Sequence, residues 1–256
     1  LASYLTRRAV CGFTTKGYNR VFMRLLEVVT SAKDKPEEAL REALLKLGGN
    51  SQAWPNDEEF SERWSYRAVY KELRPAKVCA ILRALEYAAR GTFQGFQEVP
   101  EQSKLTVEHV LPQTWESDGH YPIADVTDEH RLARNHLVQT FGNLTLLTGP
   151  LNSSVSNGPF LDYLQEGDTI EGKKAGIGKS ALVMNTYFSK PVLQTWDDAA
   201  IGTRAKATLA AALLVWPRPV QQVATSKMIS DALTGRGQVS MTGSELTIGK
   251  AGLGGQ

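Results

Sequence analysis

The sequence predicts a mainly α-helical fold built around one small strand–strand–helix element. Apolar residues recur at three- and four-residue spacing through most of residues 1 to 98, as in Val21, Phe22, Leu25, Leu26, Val28 and Val29. Strand-like alternation is confined to Leu105, Val107 and His109 against Thr106 and Glu108, and Pro112 stops it. A second short apolar run, Leu144 to Leu147, follows Gly142-Asn143 and ends at Gly149-Pro150.

Helix boundaries follow from end signals. Pro36 opens a run rich in Glu, Ala and Leu that Gly48-Gly49 closes, and Pro75 opens another that ends near Gly91, so helices are expected near 36–47 and 75–90. Asp57-Glu58-Glu59 ahead of Phe60 and Trp64 places acidic groups where a helix dipole favours them, which predicts a helix near 57–66. Residues 113–135 form a long excursion between the strands, with one helix near 127–138. The second strand turns at Gly149-Pro150 into a short helical stretch from Leu151 to Val155. Helical patterning resumes after Pro159, is interrupted by Gly and Lys at 172–179, and ends in a helix from about 198 to Trp216 stopped by Pro217 and Pro219. The expected domains are 1–100 (helical), 101–165 (the strand-containing core), 166–220 (helices packing on that core) and 221–256, a Gly- and Ser-rich tail to which no fold is assigned.

Composition excludes some classes and permits others. A hydrophobic content of 42% in 256 residues is enough for a real core, while a formal net charge of +2 neither demands nor forbids a nucleic-acid partner. Cys11 and Cys79 are the only cysteines, too few for a disulfide framework or a four-cysteine zinc site. No apolar run approaches the roughly 18 residues of a membrane span, and no signal-peptide pattern opens the chain, so a cytoplasmic protein without membrane contact is expected. The first residue is Leu1 and not Met, which is the expectation for a fragment of a longer protein.

The chemistry-bearing residues cluster at the strands. Phosphodiester hydrolysis requires an activated water, a cation to neutralise phosphoryl charge, and alignment of the two. His109, at a strand end, is suited to accept a proton near physiological pH. Glu108 and the amide oxygen of Asn152 are suited to Mg²⁺ or Mn²⁺, which prefer oxygen ligands. Neighbouring strand residues face opposite sides, so Glu108 and His109 share a site only if the strand bends or ends there. Asn143 after Gly142 also suits a turn, and Asn152 and Asn157 suit helix caps. His120, His130 and His136 fall in the excursion, where solvated positions are the default. Gly176-Ile177-Gly178-Lys179-Ser180 is not a phosphate loop, because Lys173 stands where the first glycine is required. Lys173, Lys174, Lys179, Arg7 and Arg8 are the candidate contacts to DNA phosphates, although lysines and paired arginines also occur on solvated faces.

Val107-Glu108-His109-Val110-Leu111-Pro112-Gln113, Gly142-Asn143-Leu144-Thr145-Leu146-Leu147 and Leu151-Asn152-Ser153-Ser154-Val155-Ser156-Asn157 together resemble the HNH, or ββα-metal (His-Me finger), nuclease pattern. The similarity is greatest to the C-terminal nuclease domain of GmrSD-type modification-dependent restriction enzymes and to the related phosphorothioate-sensing Ssp defence effectors. It extends to Leu5 through Gly12, Tyr18-Asn19-Arg20, Trp54-Pro55, Gly178 through Leu182, and Trp196 through Trp216-Pro217, roughly residues 1 to 217. The resemblance implies His109 as the water-activating base, Glu108 and Asn152 as ligands of one divalent cation, and Asn143 as a brace for the His-bearing loop. Many HNH proteins have Asp or His where this chain has Glu108. The resemblance also implies an HNH-type DNA endonuclease of bacterial restriction or antiviral defence, acting on double-stranded, modified phage or foreign DNA. In the family a separate N-terminal sensing or NTPase domain carries an Asp-Gly-Gln-Gln-Arg-like motif, which this chain lacks. The expected activity is metal-dependent nicking; the alternative is a non-catalytic nucleic-acid-binding or interaction module that retains the fold.

Overall fold

A computed structural model describes residues 1–49, 51–91, 99–117, 119–123, 127–155, 157–219, 226–235, 237–242 and 245–250. These residues are mainly helical, with three two-stranded antiparallel sheets. They divide into two compact units, Leu1–Trp64 with Trp216–Gln222 and Ser65–Val215 with Val223–Gln256.

The first unit contains α1 (Ala2–Cys11), α2 (Tyr18–Ser31), α3 (Pro36–Leu45) and most of α4 (Asp57–Tyr66). α1 stops at Gly12, whose φ of 76° is a left-handed conformation that glycine adopts without steric cost. Pro36 occupies the first turn of α3, where its missing N–H is not needed. α4 is started by a reciprocal cap: Glu59 N–H donates to Asn56 Oδ1 at 2.8 Å and Asn56 N–H donates to Glu59 Oε2 at 2.9 Å. Tyr4, Val21, Leu25, Leu44 and Trp54 close this unit's core.

Arg7 and Arg8 are part of that interior, which corrects their expected place on a DNA-facing surface. Both are 0% exposed. Arg8 donates to the carbonyls of Ser51, Ala53 and Thr14, each at 2.7 Å, and to Tyr18 Oη. Arg7 donates to Trp216 O at 2.6 Å and pairs with Asp57 at 2.6 Å. Loop carbonyls that point inward need donors, and two guanidinium groups supply them, so neither is left for a phosphate.

The second unit opens with α5 (Val69–Glu72) and α6 (Pro75–Arg90), followed by β1 (Leu105–His109), α7 (Asp128–Leu137), β2 (Leu144–Thr148) and α8 (Gly149–Val155). β1 and β2 pair antiparallel, Leu105 opposite Thr148 through His109 opposite Leu144. α6 buries Val78, Cys79, Leu82, Leu85 and Ala89 and packs on both strands. The expected boundary near residue 100 therefore moves: the compact units divide after Trp64, because α6 packs on the helices Ser226–Leu233 and Asp198–Val215, the 3₁₀ segment Val183–Ser189 and both strands of the sheet.

Beyond α8 the chain departs from the helical expectation. Tyr163–Gln165 (β3) and Asp168–Ile170 (β4) form a hairpin whose turn residues, Glu166 and Gly167, have φ of 54° and 93°. Positive φ at both positions matches the twist of a two-residue hairpin turn, a local preference that outweighs the weak helical spacing. α9 (Lys173–Gly178), a 3₁₀ segment over Val183–Ser189 and α10 (Asp198–Val215) then complete the packing around β2 and the turn before it. In the tail, α11 (Ser226–Leu233) packs on α6 and α10, and β5 (Gly237–Thr242) pairs with β6 (Glu245–Lys250). Their alternation was too weak against the surrounding glycines to be recognised in the sequence.

Candidate functional site

The site is organised by the point at which β1 ends. Immediately after His109 the backbone bends at Val110 and Leu111, and Asn143 holds that bend. Asn143 Oδ1 accepts from Leu111 N–H at 2.8 Å and from Trp196 Nε1 at 2.9 Å. Its Nδ2 donates to Leu111 O at 2.8 Å and to Val138 O at 3.0 Å. The Asn143 carbonyl also accepts from Val110 N–H at 3.0 Å. Every donor and acceptor of this fully buried amide is used, so it locks the chain just past the histidine. Asn143 thus ties the Leu111 backbone to Val138 and Trp196.

Two contacts fix the turn that presents Asn143. Arg204, buried in α10 and stacked over Phe188 with its guanidinium carbon 4.9 Å from the ring centroid, donates from Nη1 to the carbonyls of Phe141, Gly142 and Leu144. Burial lowers its pKa to about 10, so it stays cationic at neutral pH. Gly142 packs so closely on α10 that an added Cβ would lie 2.4 Å from Ile201 O. Neither contact is visible in local sequence spacing.

His109 is 7% exposed. Its ring meets Tyr70 edge-on at 4.4 Å between centroids, and Gln139 lies beside it, its Oε1 buried without a hydrogen bond of normal geometry. Burial lowers the imidazole pKa to about 4; Gln139 opposes this and the Lys173 charge adds to it. The ring is therefore neutral at pH 7, and its buried Nε2 has no hydrogen-bond partner. A neutral imidazole keeps one ring nitrogen able to accept a proton.

Lys173 ties the Glu108 side chain to the end of the strand. Lys173 Nζ donates both to Glu108 Oε1 and to the His109 carbonyl, the latter at 2.8 Å, so one ammonium ties the side chain of one residue to the backbone of the next. Burial raises the Glu108 pKa, and Lys173 pulls it back. Burial lowers the Lys173 pKa, and Glu108 opposes that. In both groups burial favours the neutral form and the partner favours the charged one. Tyr121 belongs to this neighbourhood: its hydroxyl pKa is raised by burial and further by the Glu108 charge, and it donates to Gly158 O at 2.9 Å.

Asn152 lies on α8, which packs on β1, β2 and α9. Its Oδ1 is buried and has no hydrogen-bond partner. An oxygen removed from water without a donor costs about 1–3 kcal/mol, and a cation is one way to satisfy it. Among the described residues no group of three or more His, Cys, Asp and Glu side chains is placed to hold a metal. By donor type, a carboxylate and an amide oxygen are ligands that Mg²⁺ accepts while keeping several waters.

The expected phosphate contacts separate. Lys173 is 1% exposed and committed to Glu108 and His109, which corrects its assignment to DNA. Lys174 donates to Leu193 O at 2.6 Å. Lys179 is exposed and pairs with Glu171 at 2.5 Å on the surface. His120 packs on Tyr163 and His136 Nε2 contacts Tyr66 O at 2.5 Å; both are exposed, as expected. Gln139, Tyr70, Tyr121 and Trp196 were not foreseen, because each reaches the site through tertiary packing and none carries a spacing signal.

With this geometry in view, the comparisons with known proteins are brief. The model of the family described as GmrSD restriction endonucleases, C-terminal domain, matches residues 54–211. No curated protein and no solved structure matches the chain.

Proposed function

The chain belongs to the family of GmrSD restriction endonuclease C-terminal domains, and on that premise we propose that β1, β2 and α8 form a ββα-metal (HNH-type) site that hydrolyses DNA phosphodiesters. Membership makes the chain a nuclease module of the restriction type with DNA as substrate. The HNH assignment, the metal and the residue roles are our reading. The observation that carries it is that β1 ends in Glu108 and His109, whose buried Nε2 has no hydrogen-bond partner, while α8, which bears the buried and unpartnered Asn152 Oδ1, packs on β1 and β2.

In this reading His109 Nε2 takes a proton from water, which general-base help accelerates typically by about a hundred- to ten-thousand-fold. Burial keeps that nitrogen unprotonated at neutral pH. Asn143 fixes the strand end so that the attacking oxygen and the phosphorus stay in line. Glu108 and Asn152 would hold one Mg²⁺ or Mn²⁺, which supplies charge neutralisation of the phosphoryl and departing oxygens. Lys179, exposed and near the surface, is the remaining proposed backbone contact. One base and one cation per chain cut one strand, so nicking is the expected product. The cytoplasm, modified phage or foreign DNA, and an N-terminal sensing or NTPase domain remain proposed context drawn from the family.

Supercoiled plasmid incubated with the chain in Mg²⁺ or Mn²⁺ tests the reading. Open-circular product is expected, abolished by chelator and reduced at least a hundredfold by His109→Ala. DNA binding without metal-dependent nicking would support the non-catalytic alternative, and equal cutting by His109→Ala would remove the base assignment.

A further inference from the structure

Lys173 comes from outside the strand–strand–helix element, and the chain goes to some length to deliver it. Gly172 sits so close to Leu161 that a Cβ there would lie 2.3 Å from the Leu161 carbonyl carbon. Gly172 N–H donates to Asp162 Oδ1 at 2.8 Å, and the next two amides, of Lys173 and Lys174, donate to Pro159 O at 2.9 Å and Phe160 O at 2.8 Å. The side chain is then buried and donates to Glu108 Oε1 and to the His109 carbonyl. α9, which starts at Lys173, packs on α8, with Gly176 against Val155. The ammonium is thus pinned on the one carboxylate of the site.

A buried carboxylate needs a counter-charge, and removing the partner of a buried pair is strongly destabilising. A divalent ion at Glu108 and Asn152 meets the same carboxylate and feels the adjacent positive charge, whose repulsion at a few ångströms is large even at an effective dielectric of about 20.

We propose that Lys173 is a positioning residue that serves as the resident counter-cation of Glu108: it holds the carboxylate in place without metal and, by competing for its charge, sets the affinity for the divalent ion. This rests on the reading of Glu108 and Asn152 as the ligands. The consequence is an inversion. Loss of the lysine weakens the metal-free protein and tightens metal binding, whereas loss of an ordinary structural lysine weakens both.

The experiment uses the full chain, Mn²⁺ as probe, and two readouts independent of cleavage: Mn²⁺ affinity by calorimetry and the Mn²⁺-dependent rise in Tm. Lys173→Met is expected to melt below wild type without metal, to bind Mn²⁺ at least about tenfold more tightly, and to show a larger Mn²⁺-induced rise in Tm. Lys173→Gln is expected to behave likewise, and Lys173→Arg, which keeps the charge, to stay near wild type. Unchanged or weaker Mn²⁺ binding in both neutral variants overturns the proposal. Failure of both to fold even with Mn²⁺ present also overturns it, since the ion is required to replace the ammonium. If wild type and Asn152→Ala bind Mn²⁺ equally weakly, the metal reading itself has failed; if wild type binds and Asn152→Ala does not, only the Lys173 inference is being judged.

Discussion

The side-chain amide of Asn143 is hydrogen-bonded to both backbone groups of Leu111, accepting from its N–H and donating to its carbonyl, each at 2.8 Å. Leu111 lies two residues past His109, so this cross-link fixes the backbone just beyond the imidazole.

Asn143→Ala leaves the Leu111 N–H and carbonyl, the Val138 carbonyl and Trp196 Nε1 without this partner, all of them buried. A loss of about 3–5 kcal/mol in unfolding free energy is expected, measured by urea denaturation. Trp196→Phe removes one of those bonds and keeps an aromatic ring against Phe160 and Phe188, so its expected cost is about 1–2 kcal/mol with nicking retained. A Trp196→Phe variant as damaged as Asn143→Ala would place the energy in ring packing and not in the amide.

The buried imidazole makes stability depend on pH. His109 has a folded pKa of about 4 against 6.5 for an exposed histidine, so between these values the unfolded chain binds the proton more readily. The contribution is fully present above pH 6.5 and is lost as pH falls through about 4, amounting to about 3 kcal/mol. Melting curves in chelator from pH 4 to 7 are expected to show a smaller acid loss for His109→Gln than for wild type. Parallel curves would mean the ring is solvated in the folded state.

Gly142→Ala puts a methyl group 2.4 Å from Ile201 O and 3.0 Å from Ala205 Cβ. The α10 backbone cannot yield without moving Arg204 off the Asn143 turn, so a loss of about 1–3 kcal/mol is expected, together with weaker nicking in protein that is still folded. Full activity and stability would show that this contact is looser than described.

Arg8 tests the difference between a DNA contact and a structural cation. Arg8→Ala strips donors from the carbonyls of Ser51, Ala53 and Thr14 and is expected to destabilise by about 3 kcal/mol or more. The salt dependence of DNA binding by the remaining folded protein should be unchanged, because a residue that meets no phosphate releases no counterion. A reduced salt slope would return Arg8 to the DNA interface.

Much of this molecule was determined by short-range rules acting within the sequence. Pro36 and Pro75 begin helices, Gly12 and Gly91 end them, and Pro112 and Gly149-Pro150 bound the strands, because fixed or permissive backbone angles act within one turn of chain. The antiparallel pair that carries Glu108 and His109 on one strand and follows Asn143 on the other was legible for a similar reason, since each strand is marked by its own apolar run and end signals. Tertiary structure alone decided which cations serve the site. Arg7, Arg8 and Lys173 look alike in a sequence as charges available to DNA, yet each is buried on acceptors supplied by distant segments, Lys173 on Glu108 and Arg204 on the turn beside Asn143. Whether a charge faces solvent or a carbonyl depends on what the fold brings within 3 Å of it, and local periodicity does not encode that distance.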